Sequence, residues 1–309
     1  MHEWWRPDRF AARRGRLGQR GRILAAVRSF FAAHGYVEVD TPALQVSPGL
    51  EPHLRAFKTE LHDPYAGRAA ERYLHTSPEF AMKKLLVAGM PRIWQLAHVF
   101  RDGERSATHH PEFAMLEWYR VGASYRDLMD DCTALIGACQ DAGGVEAFTW
   151  RGQTADARRP WQRLSVAEAF EEHCGIDLLA TAPDALAPDV ERLAAAARHL
   201  AIAAHPGDDW EALYFRIFLE RIEPLLGRGA PTILYDYPLS MAALSRRSAA
   251  DQAKKQTLYG ETYPIDEDFL AALEHGLPEC AGVALGFDRL VMLATGAEDI
   301  EDVLWAPVR

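Results

Sequence analysis

Apolar residues recur at helical spacing over residues 17–34. Ile23, Val27, Phe30 and Phe31 make one stripe, and Gly35 stands where a helix-ending glycine belongs. The spacing predicts a helix there, then a short strand, Tyr36–Val39, stopped by Thr41-Pro42. Ser77-Pro78 opens a second helix, with Met82, Leu85 and Leu86 on its apolar side. Two strand-like stretches follow, Ile93–Arg101 and Phe113–Tyr119, and the polar residues 102–112 join them as a long hairpin loop. Further helices are predicted at Ser124–Gln140, after the capping box Ser165-Val166-Ala167-Glu168, and over 188–204 and 209–227. Residues 141–163, rich in Gly, Arg and Gln, read as a surface excursion. Thr232–Tyr237 is a strand ended by Pro238. The last unit is a strand, Val283–Leu285, turning at Gly286 into a helix that carries Leu290, Met292 and Leu293. Hairpinned strands interleaved with helices predict an α+β fold with a mixed, mainly antiparallel sheet, not a doubly wound parallel one. Neither familiar glycine-rich phosphate loop is present, and there are no repeats.

Composition adds bounds. With 309 residues and 49% hydrophobic content, the chain can bury a large core. Its net charge of −10 argues against a broad basic surface for wrapping nucleic acid. The sign is uneven, because Arg6, Arg9, Arg13, Arg14, Arg16, Arg20, Arg22 and Arg28 crowd one end. They read as a basic tail over 1–16 plus a solvated helix face, or alternatively as a docking patch for an acidic macromolecule. Cys132, Cys139, Cys174 and Cys280 form no CxxC pair, so a reduced, cytoplasmic compartment is expected. No stretch has the apolar length of a signal peptide core or a bilayer span, so no membrane partner is expected.

The chemistry concentrates between Arg101 and Tyr119. Side chains alternate along a strand, so Phe113, Met115, Glu117 and Tyr119 share a face. A carboxylate on an otherwise apolar face is costly to bury unless a cation meets it. Glu117 therefore forms either an internal salt bridge or, with Tyr119, a pocket for an ammonium group. On the partner strand Arg101 ends the face of Ile93, Gln95, Ala97 and Val99 at the hairpin mouth. There it would serve an anion, or pair with Asp102 or Glu104. In Gly282–Arg289, Gly286 would permit a tight strand-to-helix turn. Arg289 then falls near a helix N-terminus, where the dipole disfavours a cation unless an anion binds or Asp288 pairs with it.

These segments resemble a known set. "YVEVDTPAL", with Pro42, resembles motif 1 of the class II aminoacyl-tRNA synthetases. "FRDGERSATHHPEFAMLEWY" resembles motif 2 and "GVALGFDRLVML" motif 3. "HTSPEFAMKKLLVAGMPRIWQLAHVFRDGE" looks like the lysine branch, and the short chain and "LEWYR" wording look like the elongation factor P–(R)-β-lysine ligases. The resemblance implies a class II catalytic domain over 17–309, with motif 1 at a homodimer interface. It implies ATP and Mg2+ as cofactors, (R)-β-lysine or lysine as substrate, and elongation factor P as protein partner. No room remains for an anticodon-binding barrel, so tRNA is not the expected acceptor. A truncated lysyl-tRNA synthetase and a non-catalytic synthetase-like binder stay as alternatives. By the same resemblance Arg101 and Arg289 are catalytic. Arg101, Asp102, Gly103, Glu104, His110, Phe113, Gly286 and Arg289 bind ATP. In this scheme Arg101 holds the α-phosphate, Phe113 stacks on adenine, and Arg289 covers the other face and reaches the γ-phosphate. Ser77, Pro78, Glu79, Glu117 and Tyr119 hold the substrate, Glu79 taking the backbone-type ammonium and Glu117 with Tyr119 the side-chain ammonium.

One family segment is missing near 245–252. Where relatives carry a "GxELxNGFxEL"-type strand pair with an acidic metal ligand, Ser245-Arg246-Arg247-Ser248-Ala249-Ala250-Asp251 runs into Gln252-Ala253-Lys254-Lys255. The metal ligands are therefore not identified. Three explanations stand open: a stretch absent from the sequence as read, a true deletion giving a weakened enzyme, or compensation by another acid such as Asp236 or Glu261.

Overall fold

The computed structural model describes residues 3–49, 51, 53–65, 67–184, 187–241, 256, 260 and 262–308. The apparent gap near 245–252 and Glu261 lie outside them. Contacts divide the chain into two compact units: residues 1–152 with 248–309, and residues 153–247. The single domain expected over 17–309 is thus built as two.

The first unit is centred on a four-stranded sheet in the order β1-β5-β6-β11. Strand β1 (Val37–Glu38) runs parallel to β5 (Arg92–Phe100), which is antiparallel to β6 (Glu112–Val121); β6 is antiparallel to β11 (Cys280–Gly286). Three helices pack around it: α1 (Pro7–Ala33), α3 (Tyr125–Gly143) and α8 (Phe287–Thr295). Leu17, Ile23, Val27 and Phe31 of α1 are buried, and Phe31 stacks on Trp94 of β5 with ring centroids 4.8 Å apart. A hairpin of β3 (Lys58–Asp63) and β4 (Arg68–Leu74), with β2 (Leu44–Gln45) on the far side of β4, was not foreseen. All six residues of β3 are exposed, so its pattern carries no buried face to read.

The basic N-terminus is not a tail. The helix begins at Pro7, a residue whose fixed φ suits a first turn. Arg13 is buried and donates to the Leu304 carbonyl, Arg16 pairs with Asp302 at 2.9 Å, and Arg20 pairs with the buried Asp288. Burial lowers the Arg13 pKa, against the opposing pull of Asp302 and Glu301. Helix α3 begins next to the expected start: Ser124 and Asp127 make a reciprocal capping box that was not foreseen, and Gly144 closes the other end with φ 70°.

In the second unit β9 (Gln162–Ser165) runs parallel to β10 (Thr232–Tyr235). Around them pack α4 (Val166–Cys174), α5 (Val190–His199) and α6 (Trp210–Ile217), with Phe170, Leu193, Leu213 and Tyr214 in the core. The predicted Ser165–Glu168 capping box is present. Residues 141–163 are more ordered than an excursion, because β7 (Phe148–Trp150), β8 (Gln153–Ala155) and the start of β9 fall within them. Among the described residues no helix is long and apolar enough to cross a membrane.

Candidate active site

The strand register assembles the site. Val99 lies opposite Phe113, Gln95 opposite Glu117 and Ile93 opposite Tyr119, while β11 sets Gly286 beside Met115, Ala284 beside Glu117 and Gly282 beside Tyr119. Bulky residues of β6 therefore face small ones of β11, which leaves a hollow over the sheet. A cavity of about 270 Å³ opens there, lined by Arg101, Glu104, His110, Phe113, Gly286 and Arg289, and also by Thr108, His109, Met115, Ala284, Asp288 and Ile300. The small-residue alternation of Gly282, Ala284 and Gly286 was the sequence signal for its floor; it went unread, and so did His109.

Two guanidinium groups dominate the cavity. The Arg101 group lies 5.2 Å from the Phe113 ring centroid and 3.7 Å from the Glu104 carboxylate, and its Nε is buried without a partner. Arg289 donates through Nε to the Thr108 carbonyl at 3.2 Å. It does not pair with Asp288. That carboxylate is buried and accepts from Arg20 and from the Ala114 N–H (2.7 Å), which ties the start of α8 to α1 and β6. Among the described residues Arg289 has no ion-pair partner, so its donors suit an incoming anion. Beside it, His109 has Nδ1 within 2.8 Å of Ser106 Oγ; burial, then Arg289, holds its pKa below the usual histidine value.

Asp102 and Gly103 lie apart from the cavity lining: Asp102 turns to Arg55 at 3.6 Å, and Gly103 makes the turn with φ 82°. His110 reaches the cavity wall, but its ring nitrogens lie 2.5 Å from the Glu112 carbonyl oxygen and 3.1 Å from that of Val308. Gly286 has φ −68°, so the turn does not require glycine. A Cβ there would meet nothing closer than 3.7 Å, and the residue keeps the cavity floor low instead. The glycine that packing does require is Gly282, where a Cβ would sit 2.3 Å from the Tyr119 ring.

Glu117 lies two residues beyond Met115 on the same face, and is 1% exposed. Ser77 Oγ donates to its Oε1 at 2.6 Å and Tyr119 OH to its Oε2 at 2.8 Å. Among the described residues no Lys or Arg pairs with it, so the internal salt bridge is absent. Burial pushes its pKa up to about 7 against the pull of those two hydroxyls, and Glu79 and Glu51 add to the rise. A buried carboxylate among other carboxylates is a receptor for a cation. Ser77 Oγ also accepts the Glu79 N–H at 3.1 Å, at the start of α2 (Glu79–Val87). Pro78 and Glu79 line a smaller hollow beside it, and Glu79 itself pairs with Lys83.

Magnesium does not fit these residues. The cavity carboxylates are Glu104 and Asp288, and the latter is committed to Arg20 and Ala114. Among the described residues no group of three or more His, Cys, Asp or Glu is arranged to hold a metal. Asp236, a proposed substitute, belongs to the second unit and has φ 52°.

A mainly antiparallel sheet with two arginines over one strand face, and a cation-seeking carboxylate further along that strand, defines a class II synthetase catalytic domain. The sequence model of the class II tRNA synthetases (D, K and N) matches residues 9–265 and 251–309. The chain belongs to that family. Curated relatives from Vibrio atlanticus, Vibrio cholerae and Yersinia enterocolitica, each named elongation factor P–(R)-β-lysine ligase, are 34%, 35% and 34% identical to it. The alignments cover 99%, 94% and 98% of this chain and 99%, 94% and 97% of those proteins. They run over 343, 329 and 340 positions, more than the 309 residues of the chain. The family model matches in two pieces that overlap at 251–265.

Proposed function

We propose that this chain is an ATP-dependent ligase that activates (R)-β-lysine and joins it to a lysine side chain of elongation factor P. The observation that carries this is the β6 face: Phe113, with the Arg101 and Arg289 groups, lines a cavity at one end, and Glu117, a buried carboxylate without a Lys or Arg partner among the described residues, follows four residues along the strand. A triphosphate suits the two guanidinium groups, and an ammonium group suits Glu117 with Ser77 and Tyr119. The substrate carboxylate attacks the α-phosphorus and pyrophosphate leaves. The amine of the acceptor lysine then attacks the acyl-adenylate, releasing AMP and forming an amide. Arg101 and Arg289 stabilise charge that develops on the phosphates, and the sheet holds the reactants in place. Mg2+ is expected with ATP, but these residues offer it no ligand set. A cytoplasmic homodimer joined through the motif 1 segment completes the proposal.

Coverage of nearly the whole length of relatives named as ligases supports a protein acceptor over tRNA. ATP–pyrophosphate exchange should be clearly faster with (R)-β-lysine than with α-lysine, and elongation factor P should gain the mass of one β-lysyl group. Labelled lysine passing to tRNA instead would overturn the acceptor. One observation favours a second reading, a synthetase-like nucleotide binder with weakened chemistry: the segment missing near 245–252. ATP binding by calorimetry without exchange would select it.

A further inference from the structure

The polar loop 102–111 between β5 and β6 forms one wall of the arginine-lined cavity, to which it contributes Glu104, Thr108, His109 and His110. Its base is closed where Arg101 N–H donates to the Pro111 carbonyl at 2.9 Å. Its tip is closed by backbone hydrogen bonds between Ser106 and His109, at 3.0 and 3.2 Å. A loop this polar ordinarily loses its freedom only when a ligand orders it, and the ligand's affinity bears that cost.

Here another segment of the chain holds the loop. Residues 300–308 follow α8 and meet it repeatedly. Ile300, which is buried and reaches the cavity, donates its N–H to the Ala107 carbonyl at 2.7 Å. Arg105 donates through Nη2 to the Val308 carbonyl at 2.9 Å, with Nη1 3.6 Å from Glu301. His110 Nε2 lies 3.1 Å from the same carbonyl oxygen. A carbonyl only accepts, so Nε2 carries a hydrogen and donates it. Arg105 and His110 stand on opposite limbs of the loop, one before the Ser106–His109 tip and one after it, and converge on one acceptor. Pinning both limbs to a single atom fixes how far the loop can open. The segment that offers this atom is itself tied down: Val303 is buried, Arg13 donates to the Leu304 carbonyl, and Arg16 pairs with Asp302.

We propose that Arg105 and His110 are positioning residues for ATP: through the Val308 carbonyl they strap the loop to residues 300–308, so that Glu104, Thr108 and His109 stand at the cavity wall before nucleotide arrives. This rests on the proposed function, which puts ATP in that cavity, and goes beyond it. Arg105 does not line the cavity, so its effect on ATP passes through the loop.

Calorimetric titration of the full chain with ATP tests the strap, and ATP–pyrophosphate exchange with (R)-β-lysine tests the proposed function separately. Arg105→Ala should melt like the wild type, because the side chain is half exposed, while its Kd and KM for ATP rise about tenfold, the loss of one hydrogen bond from a charged donor. Its kcat at saturating ATP and its Kd for (R)-β-lysine should stay within about twofold of wild type. Amide hydrogens of residues 104–109 should exchange faster in this variant without ATP, and at the wild-type rate once ATP is saturating. His110→Leu, which fills the buried space without a donor, should raise the Kd for ATP similarly, and His110→Gln, which keeps an N–H of comparable reach, should restore most of the affinity. Glu301→Gln, which removes only the longer ion pair, should leave the Kd for ATP within about twofold. Unchanged Kd for ATP in both Arg105→Ala and His110→Leu would overturn the strap, and so would a fall in kcat with KM for ATP unmoved. A wild type that binds ATP but shows no exchange would overturn the proposed function alone, with the strap still decided by the Kd values. A wild type that does not bind ATP would overturn both.

Discussion

At the scale of single residues, Glu117 is the most consequential group in the chain. Burial raises the pKa of its carboxyl from 4.5 to about 7, and Glu79 and Glu51 add to the rise. An acid with a raised folded-state pKa stabilises the fold relatively below its unfolded value and loses that stability as pH rises through the folded value. Glu117→Gln should therefore raise the ligand-free melting stability at pH 8 by about 2 kcal/mol, an effect that shrinks towards pH 5, where both proteins carry a neutral group. The same substitution should abolish measurable (R)-β-lysine binding. In the wild type, affinity for (R)-β-lysine should strengthen as pH rises through about 7, with proton release detectable by calorimetry in buffers of different ionisation heat. Arg101 and Arg289 make a different prediction. Replacing either by Ala should lower ATP–pyrophosphate exchange about 100-fold or more while leaving melting nearly unchanged, since each directs donors at a cavity and not at a core partner.

At the scale of elements, three helices and three strands meet through interactions that span most of the sequence. Arg20 of α1 and Asp288 of α8 pair although 268 residues separate them, and Asp288 also caps the exchange with β6 through Ala114 N–H. Removing one partner leaves a buried charge, so Asp288→Ala should cost about 3–5 kcal/mol in denaturant unfolding, whereas Arg16→Ala at the exposed end of α1 should cost under about 1 kcal/mol. Gly282→Ala sets a methyl against the Tyr119 ring, and should both lower the melting temperature and weaken diamino-acid binding by displacing the Tyr119 hydroxyl from Glu117. Strands and helix starts were legible because their signals are local: Ser165 caps where the motif says, a helix starts beside Ser124, and the β5–β6 hairpin follows from alternation. Long-range pairing has no such local mark. Nothing near Arg13 or Arg20 distinguishes a buried arginine from a solvated one, which is why the basic end read as a tail. Gly286 and Gly282 show the same limit, because the demand on Gly282 comes from Tyr119 on another strand.

At the scale of the whole molecule, the order of motifs was enough to reach the family; Arg101, Phe113 and Arg289 line one cavity, and Glu117 follows Phe113 on the same strand. The boundary at residues 152–153 was not legible: the short strands of 141–163 bury too few apolar side chains to signal a second unit. The segment missing near 245–252 is expected to act on rate, through phosphate neutralisation. Inserting the corresponding segment of the Vibrio cholerae relative should raise exchange about tenfold or more if phosphate neutralisation is the step it serves, and leave it unchanged otherwise.

The shared face of β6 has one more implication. Phe113 and Glu117 are four positions apart on a single strand, a separation of about 14 Å dictated by covalent backbone geometry. No hinge or loop intervenes that could stretch or shorten it. On the proposed function the strand would act as a ruler laid between nucleotide and amine, and chain length would be what it measures. Ornithine, one methylene shorter than lysine, cannot anchor its amine and present its carboxylate to the phosphate together, and should be turned over far more slowly than either lysine isomer.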